Sequence, residues 1–100
     1  MRMTHALVLE APVKVADGAG GTLRDWRKLG TLWGAMKYGP VREDGGVAVV
    51  AVRITVRAAP QGAPSRPVAG QRLRDGERIF DILAVTEAGD RLTCHAEEKP

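Results

Sequence analysis

Between Val47 and Ala58 the chain alternates with little interruption. Val50, Val52, Ile54, Val56 and Ala58 fall on one side of an extended backbone, and Arg53, Thr55 and Arg57 on the other. A period of two with β-branched residues on the apolar side marks a strand that covers a core with one face and meets water with the other. The same alternation runs from Leu7 to Val15: Leu7, Leu9, Ala11, Val13 and Val15 share a face, while Glu10 and Lys14 take the opposite one. Pro12 lies inside that stretch and has no N–H to donate, so this strand belongs at an edge or carries a bulge there. Near the C-terminus, Leu92, Cys94 and Ala96 share a face of Arg91–Glu97.

Turn chemistry separates these stretches. Asp17-Gly18-Ala19-Gly20-Gly21 is a flexible turn. Asp75-Gly76 is a two-residue hairpin signal between strands at Gln71–Arg74 and Glu77–Val85, and Ala88-Gly89-Asp90 reverses the chain again. Gly39 to Gly46 (GPVREDGG) reads as a charged loop with glycines at both ends, and Gly39-Pro40 ends the element before it. Ala59 to Gly70 contains Pro60, Pro64 and Pro67, the composition of an extended or mobile connector.

Thr22 to Tyr38 fits two descriptions. Trp26, Leu29, Trp33 and Met36 recur at helical spacing, and Thr22 with Asp25 resembles a capping box. Against a helix stand Gly30 and Gly34, each costing about 1 kcal/mol in a helix interior. Strands that split near Leu29-Gly30 would instead send Leu32, Gly34, Met36 and Tyr38 one way and Trp33, Ala35 and Lys37 the other. Five or six short strands with turn signals between them make the pattern that of a single all-β domain over residues 1–100, a barrel or sandwich.

Composition narrows the chemistry. The net charge of +3 is mildly basic, and arginines alternate with acids instead of forming the dense clusters of a dedicated nucleic-acid binder. Arg53, Arg57, Arg72, Arg74, Arg78 and Arg91 read first as solvated strand faces, and second as a positive surface. The aromatics Trp26, Trp33, Tyr38 and Phe80 read as core. A single cysteine, Cys94, forms no internal disulfide, and its strand context makes it a small core residue. Adjacent Cys94 and His95 point to opposite strand faces and cannot chelate one ion together, and His5 lies near the other end of the chain. Gly18 to Thr22 (GAGGT) lacks the lysine and spacing of a phosphate loop. Asp75, Glu77, Asp81, Glu87 and Asp90 sit in turns or on polar faces. No catalytic, cofactor or metal site is expected, and the chain reads as a non-enzyme. The apolar stretch after Met1-Arg2-Met3-Thr4-His5 is too short for a membrane span or a signal peptide, so synthesis in the cytoplasm is expected.

Four pieces in order resemble the phage head–tail joining (head-closure or stopper) proteins, including those of gene transfer agents. They are Ala6–Pro12; Gly21-Thr22-Leu23-Arg24-Asp25-Trp26 leading to Leu29–Met36 with its Trp-Gly-Ala; Arg53-Ile54-Thr55-Val56-Arg57; and Gly70 through Val85 with Arg78-Ile79-Phe80-Asp81-Ile82 inside it. Before Arg53 the chain departs from the pattern, carrying Val47–Val52 where many relatives have a longer polar segment with a Thr-His pair.

The resemblance implies a small β-barrel of about six antiparallel strands with long loops, and resolves Thr22–Tyr38 into two strands. It also implies a virion neck protein of a phage or gene transfer agent, a ring of copies of itself below a portal-bound adaptor. A tail terminator or tail tube protein would dock below, and double-stranded DNA would pass through the channel. The family's channel loop falls on Pro40, Val41, Arg42, Glu43, Asp44, Gly45 and Gly46. Pro60, Gln61, Gly62, Ala63, Pro64, Ser65, Arg66 and Pro67 form a candidate docking arm that orders on a neighbour. The competing expectation is a solitary OB-like barrel that binds single-stranded nucleic acid.

Overall fold

Every alternating stretch forms a strand in the computed structural model, which describes residues 2–100. In chain order these are β1 (His5–Ala16), β2 (Thr22–Asp44), β3 (Val47–Arg57), β4 (Arg72–Asp75), β5 (Arg78–Ala88) and β6 (Arg91–Glu98). They close a barrel in the order β1-β2-β3-β6-β5-β4, antiparallel at every junction. Two three-stranded meanders thus meet along β3–β6 and along a short β1–β4 seam. Antiparallel pairing sends the β1–β2 and β5–β6 turns to one end of the barrel, and the β2–β3 and β4–β5 turns to the other.

The interior is filled by the faces that alternation selects. Leu7 and Leu9 of β1, Val52, Ile54 and Val56 of β3, Leu73 of β4, Phe80 and Ile82 of β5, and Leu92, Cys94 and Ala96 of β6 form one buried cluster. Burying one such large side chain contributes about 1.5–3 kcal/mol. Gly34 of β2 faces this cluster where the wall is tightest. A Cβ there would lie 3.1 Å from Ile54 Cγ2 and 3.3 Å from both Leu7 Cδ1 and the Thr55 carbonyl oxygen.

Several expectations need correction. Thr22–Tyr38 is neither a helix nor two strands; it belongs to one 23-residue strand. The anticipated break survives as a bulge: Leu9 pairs with Gly30 and Glu10 with Lys28, leaving Leu29 as the extra residue. Gly39-Pro40 does not end the element either. Tyr38 pairs with Val52 and Val41 with Val50, so Gly39 and Pro40 together oppose Ala51, and the strand resumes to Asp44. The expected Gly39–Gly46 loop therefore shrinks to a two-residue turn, Gly45-Gly46, whose φ values of 59° and 85° only glycine adopts freely. The long-loop expectation holds for the 58–71 connector alone. The Asp75-Gly76 turn sits one residue later, at Gly76-Glu77, with Asp75 paired to Arg78.

Three of the four aromatics also depart from the core. Phe80 is fully buried, but Trp33 is 59% and Tyr38 47% exposed, and Trp26 is half-buried beneath the Arg72 guanidinium, 4.0 Å from its ring centroid.

Candidate assembly surfaces

The barrel is filled by its own side chains, so its chemistry lies outside. Among the described residues no group of three or more His, Cys, Asp or Glu is placed to hold a metal ion. Cys94 is buried, and desolvation pushes its thiol up to about 12. A thiol held protonated in apolar surroundings is a core residue in its chemistry as well as in its position.

The β1–β2 hairpin forms the first surface. The β1–β4 seam spans only Val8–Glu10, and pairing of β2 with β3 begins at Gly34, so Ala11–Ala16 and Thr22–Arg27 pair only with each other. This two-stranded ribbon projects past the barrel wall. Pro12 lies on its unpaired β1 edge, the position its missing N–H requires. Val15 and Leu23 are direct cross-strand partners near the tip and are 45% and 60% exposed. At the root, Glu10 Oε1 accepts a 2.6 Å hydrogen bond from Arg72 Nε and lies 3.4 Å from Arg74 Nε. The sequence reading missed this arm. Its signal was alternation continuing to Val15 with no further apolar stretch to cover it.

The second surface is the β2–β3 tip, which carries the residues expected as a channel loop. Pro40 to Gly46 are all exposed. Arg42 donates to Glu97 of β6 at 3.1 Å and lies 4.0 Å from Asp44, so the tip is tethered to the barrel rim. Beside the tip, Tyr38, Pro40, Ala51, Leu83 and Ala96, together with Lys37, Arg53 and His95, line a largely apolar groove of about 410 Å³ that borders the basic outer face. Leu83 reaches it through a bulge, because Ile82 pairs with Ala96 and Ala84 with His95. At the same end Glu98 is nearly buried and accepts two 2.8 Å hydrogen bonds from Arg78. These bonds hold its carboxyl below the usual carboxylate range and raise the Arg78 guanidinium further above its ordinary value.

The proline segment lies against its own barrel. Pro67 is fully buried, the Arg66 guanidinium donates to the Ala59 carbonyl at 2.8 Å and to Glu87 at 3.2 Å, and Gly70 N–H donates to the Ile82 carbonyl. Pro60, Gln61, Gly62, Pro64 and Ser65 remain exposed, with Ala63 half-buried. This segment joins the end of β3 to the start of β4, so it lies at the arm end, opposite the β2–β3 tip. The two candidate regions are therefore kept apart.

The fourth surface is the outer face of β2, β3 and β6. Lys37 sits opposite Arg53 and Arg53 opposite His95; one rung on, Thr55 meets Thr93; on the next, Arg57 meets Arg91. The structure thus divides the six arginines singled out in sequence. Arg72, Arg74 and Arg78 lie near carboxylates, whereas Arg53, Arg57 and Arg91 share no ion pair among the described residues.

None of the curated proteins matches this chain. Residues 1–99 match the family described as phage head completion protein. A solved chain from a structure titled "Virion of native gene transfer agent (GTA) particle" is 46% identical and superposes with a TM-score of 0.87. The match covers 100% of this chain and 97% of that one. A match over essentially the whole length, reaching every strand of the barrel, makes this chain a member of the phage head completion protein family.

Proposed function

We propose that the protein is a structural neck subunit of a tailed phage or gene transfer agent particle, a ring-forming piece that closes the DNA-filled head and receives the tail. The observation that carries this reading is the 46% identity, over the whole of this chain, to a chain of a gene transfer agent virion. The surfaces agree with it. A ring repeats one heterologous contact until rotation closes it, so a subunit needs two different complementary patches. The exposed Val15–Leu23 pair on a projecting ribbon is one such patch, and the apolar groove at Tyr38, Pro40 and Leu83 is another. The arm end, with the proline segment, and the β2–β3 tip end offer separate surfaces to an adaptor above and a tail protein below. No step of this function needs a catalyst.

The Pro40–Gly46 tip is the segment we assign to the channel, and Pro60–Pro67 to docking on a neighbouring subunit. Deleting residues 40–46 tests the first assignment: particles should lose packaged DNA before the tail attaches. Normal retention of DNA in tailless particles refutes it.

The single-strand-binding alternative asks for several stacking aromatics along one groove. Trp26 is covered by Arg72. Tyr38 pairs with inward-facing Val52 and Trp33 lies on the opposite side of β2, so the exposed rings do not share a face.

A further inference from the structure

Sheets avoid like charges directly across from one another, because the pair repels at the closest approach between strands. Elsewhere in the chain like charges meet at Lys14–Arg24 on the arm and at Asp81–Glu97; the outer face of β2–β3–β6 brings two cationic rungs together on one surface. Lys37 faces Arg53, and two rungs away Arg57 faces Arg91. Arg2 and His5 border the first of these rungs. None of Lys37, Arg53, Arg57 and Arg91 shares an ion pair among the described residues, although most other arginines of the chain found carboxylates. The acids on this side lie at its margins. Glu97 is one rung beyond His95 and is taken by Arg42; Asp90 lies in the β5–β6 turn. Between the charged rungs runs a row of hydroxyls, Thr55, Thr93 and Thr86, paired strand to strand. Four residues of strand separate Arg53 from Arg57, about 13 Å.

We infer that this face binds the phosphate backbone of double-stranded DNA without reading its sequence, the unpaired Lys37, Arg53, Arg57 and Arg91 holding phosphates and the threonine row donating hydroxyl hydrogen bonds between them. The inference rests on the neck-protein reading and adds to it the surface that meets the DNA. Repulsion built into the free protein is relieved by a polyanion, which is a reason for such a face to exist. A protein partner fits less well. Protein interfaces are depleted of charge at their centre, whereas DNA interfaces are polar and strongly positive, with hydroxyl and cationic donors to phosphate.

The test uses the purified full-length chain, a 25-base-pair duplex of arbitrary sequence, and fluorescence anisotropy over a series of salt concentrations. If all four cations engage, log K against log[salt] has a slope of about −3.6, and the double variant Arg53→Thr, Arg57→Thr lowers its magnitude by about 1.8. Thr suits an outward strand position, and removing the repulsion should leave the melting temperature of this variant equal to or above that of the parent. The control Arg27→Thr, Lys28→Thr removes two exposed cations from the root of the arm and should keep the parent slope. An unchanged slope in the Arg53/Arg57 variant overturns the inference. So does a variant that binds DNA like the parent yet is lost from particles, which would assign the face to an acidic protein. Failure of the neck reading itself is read separately, as absence of the unaltered chain from purified particles.

Discussion

Gly34 offers a quantitative test of the barrel wall. In Gly34→Ala the new methyl would sit 3.1 Å from Ile54 Cγ2 and 3.3 Å from Leu7 Cδ1, and these side chains can shift only into a filled core. It would also sit 3.3 Å from the Thr55 carbonyl oxygen, which is fixed by the β2–β3 ladder. Overpacking of this kind costs about 1–3 kcal/mol, while removing a glycine from the unfolded chain returns about 0.4–1 kcal/mol. The balance is a loss of about 1–2 kcal/mol. For a domain of this size that lowers the melting temperature by about 5–10 °C. Gly30 lies on the same strand, and a Cβ there would have nothing within 4 Å. Gly30→Ala should therefore be neutral or stabilising by a few tenths of a kcal/mol. Urea titrations of the two variants and the parent, read by the fluorescence of half-buried Trp26 and exposed Trp33, give both differences. If Gly34→Ala is as stable as Gly30→Ala, the packing of β2 against Leu7 and Ile54 is wrong.

Other expectations are as direct. The Glu98 carboxyl lies below its ordinary value of 4.5 because Arg78 hydrogen-bonds the ionised form. A depressed folded pKa gives stability that is fully present above the unfolded pKa and is lost as pH falls through the folded one. Glu98→Gln should therefore flatten the stability–pH curve below about pH 4.5, and thermal melts at pH 3 and 7 would detect it. With its thiol pushed up to about 12, Cys94 should resist a thiol-specific reagent at pH 8 until urea unfolds the barrel, and rapid labelling of the native protein would contradict its burial. Val15→Ser with Leu23→Ser changes two exposed side chains, so melting should move by less than about 0.5 kcal/mol per site. Incorporation into particles should fall sharply, and normal incorporation would remove the arm from the ring contact.

The strands that border the core on one face were legible residue by residue. Leu92, Cys94 and Ala96 share a side because every second residue of β6 meets the interior. The tips of β2 were not legible, since Thr22–Arg27 pairs only with β1 and Arg42–Asp44 only with Val47–Val49, beyond the reach of β4 and β6, so alternation against the shared core does not mark them. Bulges escaped for a related reason. Leu29, Gly39-Pro40 and Leu83 look like interruptions along one chain, but they are properties of pairing with β1, β3 and β6. The exposed Trp33 follows the alternation well enough, opposite to Leu32 and Gly34. Its bulk suggested core, and the outward parity was the better guide. The positive face needed three strands in register, because Arg57 and Arg91 are remote in sequence and adjacent only across the β3–β6 seam.

Cryo-electron microscopy of the neck in purified particles shows where these subunits sit. A ring of the barrels should lie between the portal side and the tail. Each β1–β2 arm should rest on the next copy, and the Lys37–Arg53 and Arg57–Arg91 rungs should face the DNA path. A neck map without this barrel, or one in which the barrels touch neither each other nor the tail, contradicts it.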